Sequence, residues 1–318
     1  MFWKKASKMP PSPVVLITGA STGVGLALAR RLWKSQFRVV LTAREGSLKR
    51  FQNETFADPH FFVRPLEVTS AESRLALKNW IDENLGGVDI LVNNAGISYR
   101  SVIEHMSDED LRKQIETNFH GPFSLIRMLL PKMREKGWGR IINVSSVGGM
   151  MAMPTMGAYS ASKWALEGAT EALWYEMKPW NIGVTLIQPG FINSDSFKSV
   201  YLNEQAKLSS TDAQDPYHEY YRRMVPFISE KMKKSRSSSD DVASVVFKTM
   251  LSSNPPLRVA ATKDAWFFGL VRRILPRQWY HLILFLCLPG VFRWRNTYKL
   301  KDYYSESEKT PTDFKKTG

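Results

Sequence analysis

Cysteine is nearly missing from this 318-residue chain. Cys287 stands alone, so no intrachain disulfide, C-x-x-C redox pair or cysteine-based metal cluster can form. That suits a reducing compartment, and the expected location is cytoplasmic or on the cytoplasmic face of a membrane. Histidine is also scarce: His60, His105, His120, His218 and His281 lack metal-ligand spacing, and no metal is expected. No uninterrupted apolar run reaches the roughly 18 residues of a spanning helix. The basic start, with Lys4, Lys5 and Lys8, meets Pro10 and Pro11 before any apolar run of a secretory signal. Acidic residues are in deficit, 30 against 44 basic ones, and the net charge of +14 raises two candidate partners, nucleic acid and an anionic membrane surface. An apolar content of 43% excludes global disorder. There is no internal repeat.

What is present is alternation. Val14–Ile17, Val39–Leu41, Phe61–Val63, Ile90–Val92, Ile141–Val144 and Val184–Ile187 are short runs rich in Val and Ile, apolar throughout, as strands covered on both faces should be. Between them lie residues at helical spacing, such as Val24, Leu28 and Leu32, then Leu111, Ile115 and Phe119. Ser107 before Asp108–Asp110 reads as a helix start with acids on the positive dipole end. Strands alternating with helices predict βαβ units and a doubly wound parallel sheet of the α/β class. Residues 13–262 form the expected single catalytic domain, after a basic segment 1–12 and before an extension 263–318. Within it, 191–238 read as an irregular, mobile substrate flap. Ser239-Asp240-Asp241 predict the start of a helix to about Leu251, and Arg258–Ala261 a last strand.

Thr18-Gly19-Ala20-Ser21-Thr22-Gly23-Val24-Gly25 follows the first strand and opens the first helix. Glycines at 19, 23 and 25 allow a sharp turn that brings backbone N–H groups against an anion at a helix N-terminus. The bland alternative is a tight βα turn. The second strand ends Leu41-Thr42-Ala43-Arg44, with no carboxylate for a ribose 2′-hydroxyl and a guanidinium suited to a 2′-phosphate. Tyr159 and Lys163, four apart, share one helical face. An ammonium there favours the phenolate and brings the phenol toward the working pH range. Ser146 ends the strand upstream and can hold a substrate oxygen from the other side.

In this order the motifs resemble the short-chain dehydrogenase/reductase family, over about residues 12–262, and the stretch Ser145–Gly168 resembles its hydroxysteroid and retinol dehydrogenases. The resemblance implies a Rossmann-like fold and hydride exchange between NADP(H) and a carbonyl or alcohol. It implies that Tyr159 donates the proton, Ser146 holds the reacting oxygen, Lys163 binds the nicotinamide ribose, and Asn118 orders a water leading to Lys163. By the same resemblance Gly19, Ser21, Thr22, Gly23, Val24, Gly25 and Arg44 hold the phosphates. Glu67, where the family usually has Asp, and Val68 stand beside the adenine. Asn93, Asn94, Ala95 and Gly96 after the fourth strand match the family's sheet-stabilising motif, with Asn93 near the adenosine side. Pro189, Gly190, Ile192 and Ser194, the last replacing the usual Thr, hold the carboxamide. The family also pairs its long helices, which implies a homodimer through Leu111–Met133 and Tyr159–Met177.

Met150, Met151, Met153 and Met156 fall where the substrate pocket would lie, and adaptable thioethers there predict a lipophilic ketone, aldehyde or alcohol, with Met151 and Met153 as contacts. Two rivals are a catalytically idle NADP-binding scaffold and a nucleic-acid binder. The first would be signalled by loss of Ser146, Tyr159 or Lys163, and all are present; the second lacks a recognisable module. The charge excess gathers at the termini instead. Trp266 to Leu300 contains Arg272, Arg273, Arg277, Arg293, Arg295 and Lys299 and no acid. Its apolar pieces, Ala265–Val271 and Leu282–Leu288, are too short to span, are broken by Pro276 and Pro289, and are flanked by Trp266, Trp279, Tyr280 and Trp294. The expectation is a peripheral membrane contact, with Phe2 and Trp3 adding a second. The alternative is a lid over the substrate pocket. Deleting 264–318 is expected to release the protein from membranes and leave NADPH binding unchanged.

Overall fold

The computed structural model describes residues 8–54, 56, 58–194 and 200–294, so Phe2, Trp3, Lys4, Lys5, Arg295 and Lys299 lie outside the described residues. The chain runs β1 (Val14–Ile17), α1 (Gly23–Leu32), β2 (Arg38–Ala43), β3 (Phe61–Pro65), α2 (Ala71–Leu85), β4 (Ile90–Asn93) and β5 (Ser98–Arg100). It continues with α3 (Asp108–Ile115), α4 (Gly121–Lys136), β6 (Gly139–Val144), α5 (Gly157–Met177), β7 (Ile182–Gln188) and β8 (Val200–Leu202). After these come α6 (Glu204–Thr211), α7 (His218–Lys233), α8 (Ser239–Leu251), β9 (Arg258–Ala260), α9 (Lys263–Ile274) and α10 (Arg277–Leu286).

Seven strands form one parallel sheet in the order β3-β2-β1-β4-β6-β7-β9, the expected doubly wound, Rossmann-like arrangement. Alternate residues of each strand enter different cores, which is why the strands read as unbroken apolar runs. Val15, Ile17, Val39 and Leu41 pack with Leu28 and Leu32 of α1 and Val242 and Val246 of α8. Val14, Leu16 and Val40 pack on the other face with Leu77 and Ile81 of α2 and Leu125 and Leu129 of α4. Strand order reverses between β1 and β4, where crossovers leave in opposite directions and open a crevice at the strands' carboxyl ends.

Ser107 caps α3 as expected, accepting from the Asp110 N–H at 3.1 Å. The cap of α8 falls one residue before the expected Ser239: Ser238 and Asp241 form a reciprocal capping box. The larger difference is within residues 191–238, whose described part holds the helices α6 and α7 where the sequence suggests irregular chain. Tyr221, Met224 and Ile228 bury one face of α7, and Glu219 ties that helix's own turns to Arg222 at 2.8 Å and Arg223 at 2.6 Å. Among the described residues no helix is long and apolar enough to cross a membrane. Pro276 separates α9 from α10.

Candidate active site

The crevice begins at the glycine turn after β1. Gly19 has φ of +64°, and a Cβ there would lie 2.8 Å from the Ala95 Cα; a Cβ on Gly25 would lie 2.6 Å from the Asn94 Nδ2. Only glycine lets the turn and the β4 segment approach this closely. Asn94 completes the joint by donating to the Thr18 and Gly19 carbonyls, both at 3.0 Å. Thr22 caps α1 without a side-chain hydrogen bond and no acid occupies the first turn, so the helix N-terminus faces the crevice with its N–H groups free for a phosphate.

A cavity of about 900 Å³ runs from this turn to the ends of β6 and β7. Every expected cofactor residue except Gly23, Gly25 and Asn93 lines it, the two glycines shaping the turn behind it. Arg44 is exposed at its adenosine end, joined by Ser47 and Arg50, which the sequence reading passed over. The Glu67 carboxylate is drawn back to accept from the Thr69 N–H at 3.1 Å and hydroxyl at 2.8 Å. Asn93 stabilises the sheet, as its motif implies, donating to Asn143 Oδ1 at 2.8 Å and strapping β4 to β6, but it does not line the cavity at the adenosine side as expected. At the far end the Thr262 hydroxyl accepts from the Gly190 N–H at 2.9 Å, and the Asp264 carboxylate from the Phe191 N–H at 2.7 Å. The extension is thereby built into the site from its first residues. Ser194 Oγ is buried without a partner, a hydroxyl ready for a carboxamide. The phosphate-sized turn, the cleft beyond it and this orphaned hydroxyl fit a nicotinamide dinucleotide.

Ser146, Tyr159 and Lys163 line the same cavity, while Asn118 is buried outside its lining. α5 carries Tyr159 and Lys163 one turn apart, with the Lys163 ammonium 5.9 Å from the Tyr159 ring centroid. Lys163 is almost fully buried and donates to the Val144 carbonyl at 2.8 Å; burial pulls its pKa down to about 8, against the opposing pull of Glu167. Burial pushes the Tyr159 phenol up. A hydrogen bond with Ser146 and the Arg100 cation pull it back. The phenol is thus held above its ordinary value rather than brought down toward the working range as expected, and the cation that pulls on it is Arg100, not the expected lysine. Ser146 sits at the end of β6 and also accepts from the Gly148 N–H at 3.0 Å, fixing its rotamer. Asn118 lies in a π-helical turn, Glu116–His120, between α3 and α4. Its amide donates to the Ile97 carbonyl and the Ser162 hydroxyl, both at 3.0 Å, and its oxygen accepts from the Ile97 N–H at 2.9 Å. A Cβ on Gly96 would fall 3.3 Å from Asn118 Oδ1 and 3.9 Å from Lys163 Nζ, so this glycine keeps open the space between them.

The substrate half of the cavity is lined by Met151 and Met153 as expected, and by Met156, Phe191, Ile228 and Met232. α7 supplies Ile228 and Met232 to the lining. Val291 and Trp294 are buried against Met156 and Ile228, and the Trp294 and Tyr220 rings meet at a tilt with centroids 4.4 Å apart. The extension's end therefore packs behind two lining residues of the chamber without lining it itself. Among the described residues no three His, Cys, Asp or Glu side chains could hold a metal ion.

Residues 13–205 match the family described as short chain dehydrogenase. A 3-ketodihydrosphingosine reductase of Bacteroides thetaiotaomicron is 34% identical over 77% of this chain and 86% of its own. A short-chain dehydrogenase structure from Streptomyces avermitilis superposes with a TM-score of 0.72 at 30% identity, over 86% of this chain and 98% of that one. The actinorhodin polyketide ketoreductase, solved with NADPH, superposes with a TM-score of 0.63 at 29% identity, over 79% and 96% of the two chains. With the glycine turn, the Ser-Tyr-Lys-Asn set and the sheet order in place, the chain belongs to the short-chain dehydrogenase/reductase family of oxidoreductases.

Proposed function

We propose that the protein is an NADP(H)-dependent enzyme that interconverts a lipophilic ketone or aldehyde and its alcohol while resting on a membrane surface. The observation that carries this is the position of Tyr159 and Ser146 between a dinucleotide-shaped cleft and an apolar, methionine-lined chamber in one cavity. A bound nicotinamide supplies or accepts the hydride. Tyr159 moves a proton to or from the substrate oxygen, and Ser146 stabilises charge on that oxygen. Lys163, poised near neutrality, steadies the phenolate, and Asn118 holds the approach to Lys163 open for proton resupply. Arg44 and Arg50, with no carboxylate at the tip of β2, support NADP(H) over NAD(H).

The membrane part rests on α9 and α10. Trp266, Phe267, Ile274, Trp279, Phe285 and Leu286 are exposed, among arginines at 273, 277 and 293 that are exposed too. Apolar side chains framed by basic ones suit an anionic headgroup surface on the cytoplasmic side of a bilayer. A homodimer would need new side chains, because Ile126, Leu129, Leu166 and Leu173 are already buried within the subunit. Exposed Trp164 and Tyr175 on α5 are what that helix still offers.

The test is oxidation of NADPH and NADH against a panel of lipophilic ketones and aldehydes, with Tyr159→Phe as the control. The phenylalanine ring still packs, so NADPH binding should persist while turnover falls at least ~100-fold, the usual share of general acid catalysis. Retention of more than about a tenth of the rate would remove Tyr159 as the proton donor.

A further inference from the structure

Arg100 lines the cavity, and the mechanism above leaves it without a task of its own; unlike Glu109, Arg112, Lys113 and Glu116, which line the cavity too, it is buried. It is 8% exposed, and its Nη1 is buried with no hydrogen-bond partner. Among the described residues no carboxylate pairs with it, and the only charged or titratable group that acts on it is Tyr159. The guanidinium lines the cavity together with Tyr159, Met156, Tyr201 and Ile228.

Nothing about its placement is loose. Arg100 ends β5, which pairs with β8 so that Arg100 faces Leu202 across the ribbon. The next residue, Ser101, donates its N–H to the Thr155 carbonyl at 2.9 Å. The backbone is thus clamped between the segment after the nucleotide cleft and the loop before α5. A solvated arginine would turn to water; this one is held inside, where an unpaired cation is costly. Removal of Arg100 from water without a protein anion leaves a planar, forked donor in a cavity wall shared with Met151, Met153, Met156, Phe191, Ile228 and Met232. Carboxylates and phosphates match that fork in two parallel hydrogen bonds.

We propose that Arg100 is an anion-recognising specificity residue, and that the substrate is an apolar molecule bearing a carboxylate or comparable anionic group along with its carbonyl or hydroxyl. This rests on the reading of the chamber as the substrate pocket. The methionines and α7 take the chain, Arg100 takes the charge, and the two together fix which carbon is presented between Tyr159 and the nicotinamide side of the cleft. An amphiphile with a cationic amine at that end is disfavoured by the same geometry.

The experiment reads binding first, so that it does not depend on turnover. Decanoate, decanamide and decylammonium are titrated into full-length protein with and without NADPH by calorimetry. The expected order is decanoate first and decylammonium last, with decanoate ahead of decanamide by about ten-fold or more, as a charge-assisted pair gives. Arg100→Met, which replaces a buried cation with an apolar side chain of similar length, should fold and keep NADPH affinity while erasing that preference. Arg100→Lys, keeping the charge but not the fork, should retain part of it. Equal binding of decanoate and decanamide by the unaltered protein overturns the proposal, as does a preference that survives Arg100→Met. Matched keto-decanoates and their methyl esters then separate the two readings. Arg100-dependent binding without reduction of any keto acid leaves the anion site standing and removes the activity. Reduction of acid and ester with equal kcat/KM, falling equally in Arg100→Met, overturns the anion site and leaves Arg100 as an electrostatic neighbour of Tyr159.

Discussion

Arg258 of β9 lies 2.9 Å from the Glu167 carboxylate, and this pair ties the edge strand of the sheet to the helix that carries Tyr159 and Lys163. Gln188 of β7 donates to the other oxygen of Glu167 at 2.9 Å, and a second guanidinium nitrogen of Arg258 reaches Glu171 at 2.7 Å. Glu167 is buried one turn past Lys163, so the clamp sits directly behind the catalytic face of α5.

Glu167→Ala should therefore loosen the site as well as the fold. It strips the buried Gln188 amide and the Arg258 guanidinium of their shared partner. Because the Arg258 side chain is 39% exposed and can be rehydrated, the expected loss is about 1–3 kcal/mol rather than the full cost of breaking a buried pair. Urea denaturation with Glu171→Ala as comparison measures it. The exposed Glu171 should cost less than about 1 kcal/mol. Equal losses would show that the ion pairs, not the buried clamp, hold α5.

Lys163 gives a pH-dependent prediction with a definite sign. Its folded pKa, about 8, lies below its ordinary value of 10.5, so the unfolded chain binds more protons between those limits. The cost of burying the ammonium is present in full below about pH 8 and fades as pH climbs toward 10.5. Lys163→Met should thus be more stable than the unaltered protein at pH 7 by about 1–3 kcal/mol, although inactive. The difference should shrink as pH is raised through that window. A variant less stable at pH 7 would mean that the bond to the Val144 carbonyl outweighs the burial of charge.

Why this much was legible beforehand follows from burial. Strands covered on both faces, such as Val14–Ile17, have no choice but to be apolar throughout, and the glycine turn and Tyr159–Lys163 are local in sequence. α7 was legible in principle, since Tyr221, Met224 and Ile228 keep helical spacing, but Pro226 inside it and the surrounding charge disguise the pattern. Arg100 was not. Ser98-Tyr99-Arg100 reads as a solvated strand end, and only its pairing with β8, a hundred residues on, buries the guanidinium. Trp294 is the same kind of case: it reads as an interfacial anchor, while tertiary packing turns it inward onto Tyr220.

Cofactor choice turns on Arg44. Arg44→Asp exchanges a charge-assisted pair with a 2′-phosphate for repulsion, and offers a carboxylate to a 2′-hydroxyl. NADPH affinity should fall by about ten-fold or more, the worth of one hydrogen bond to a charged group, while NADH affinity holds or rises. Fluorescence titration of both cofactors against both proteins decides it. If the unaltered protein binds the two equally, Arg44 is a surface residue only, and Arg50 becomes the position to replace next.

Removal of residues 264–318 would be a poor test of membrane contact, contrary to what the sequence suggests. Asp264 holds the Phe191 N–H, and Val291 and Trp294 cover Met156 and Ile228, so truncation would open the cofactor loop and the chamber together. The outward face can be altered by itself. Trp266, Phe267 and Ile274 are 61%, 56% and 67% exposed, so replacing them with Ser, Ser and Glu removes apolar surface without opening a core. Each large side chain withdrawn from the headgroup region forfeits about 1–2 kcal/mol, and three together should lower partitioning onto anionic vesicles at least ~100-fold. NADPH binding and reduction of a water-soluble ketone should be unchanged, because none of the three lines the cavity. Raised salt should weaken vesicle binding of the unaltered protein as well, since the exposed arginines at 273, 277 and 293 act through screened charge. Binding to anionic vesicles that is unchanged by the triple substitution would place the contact elsewhere on the molecule. No binding by the unaltered protein at low salt would leave α9 with only its hold on the Phe191 N–H.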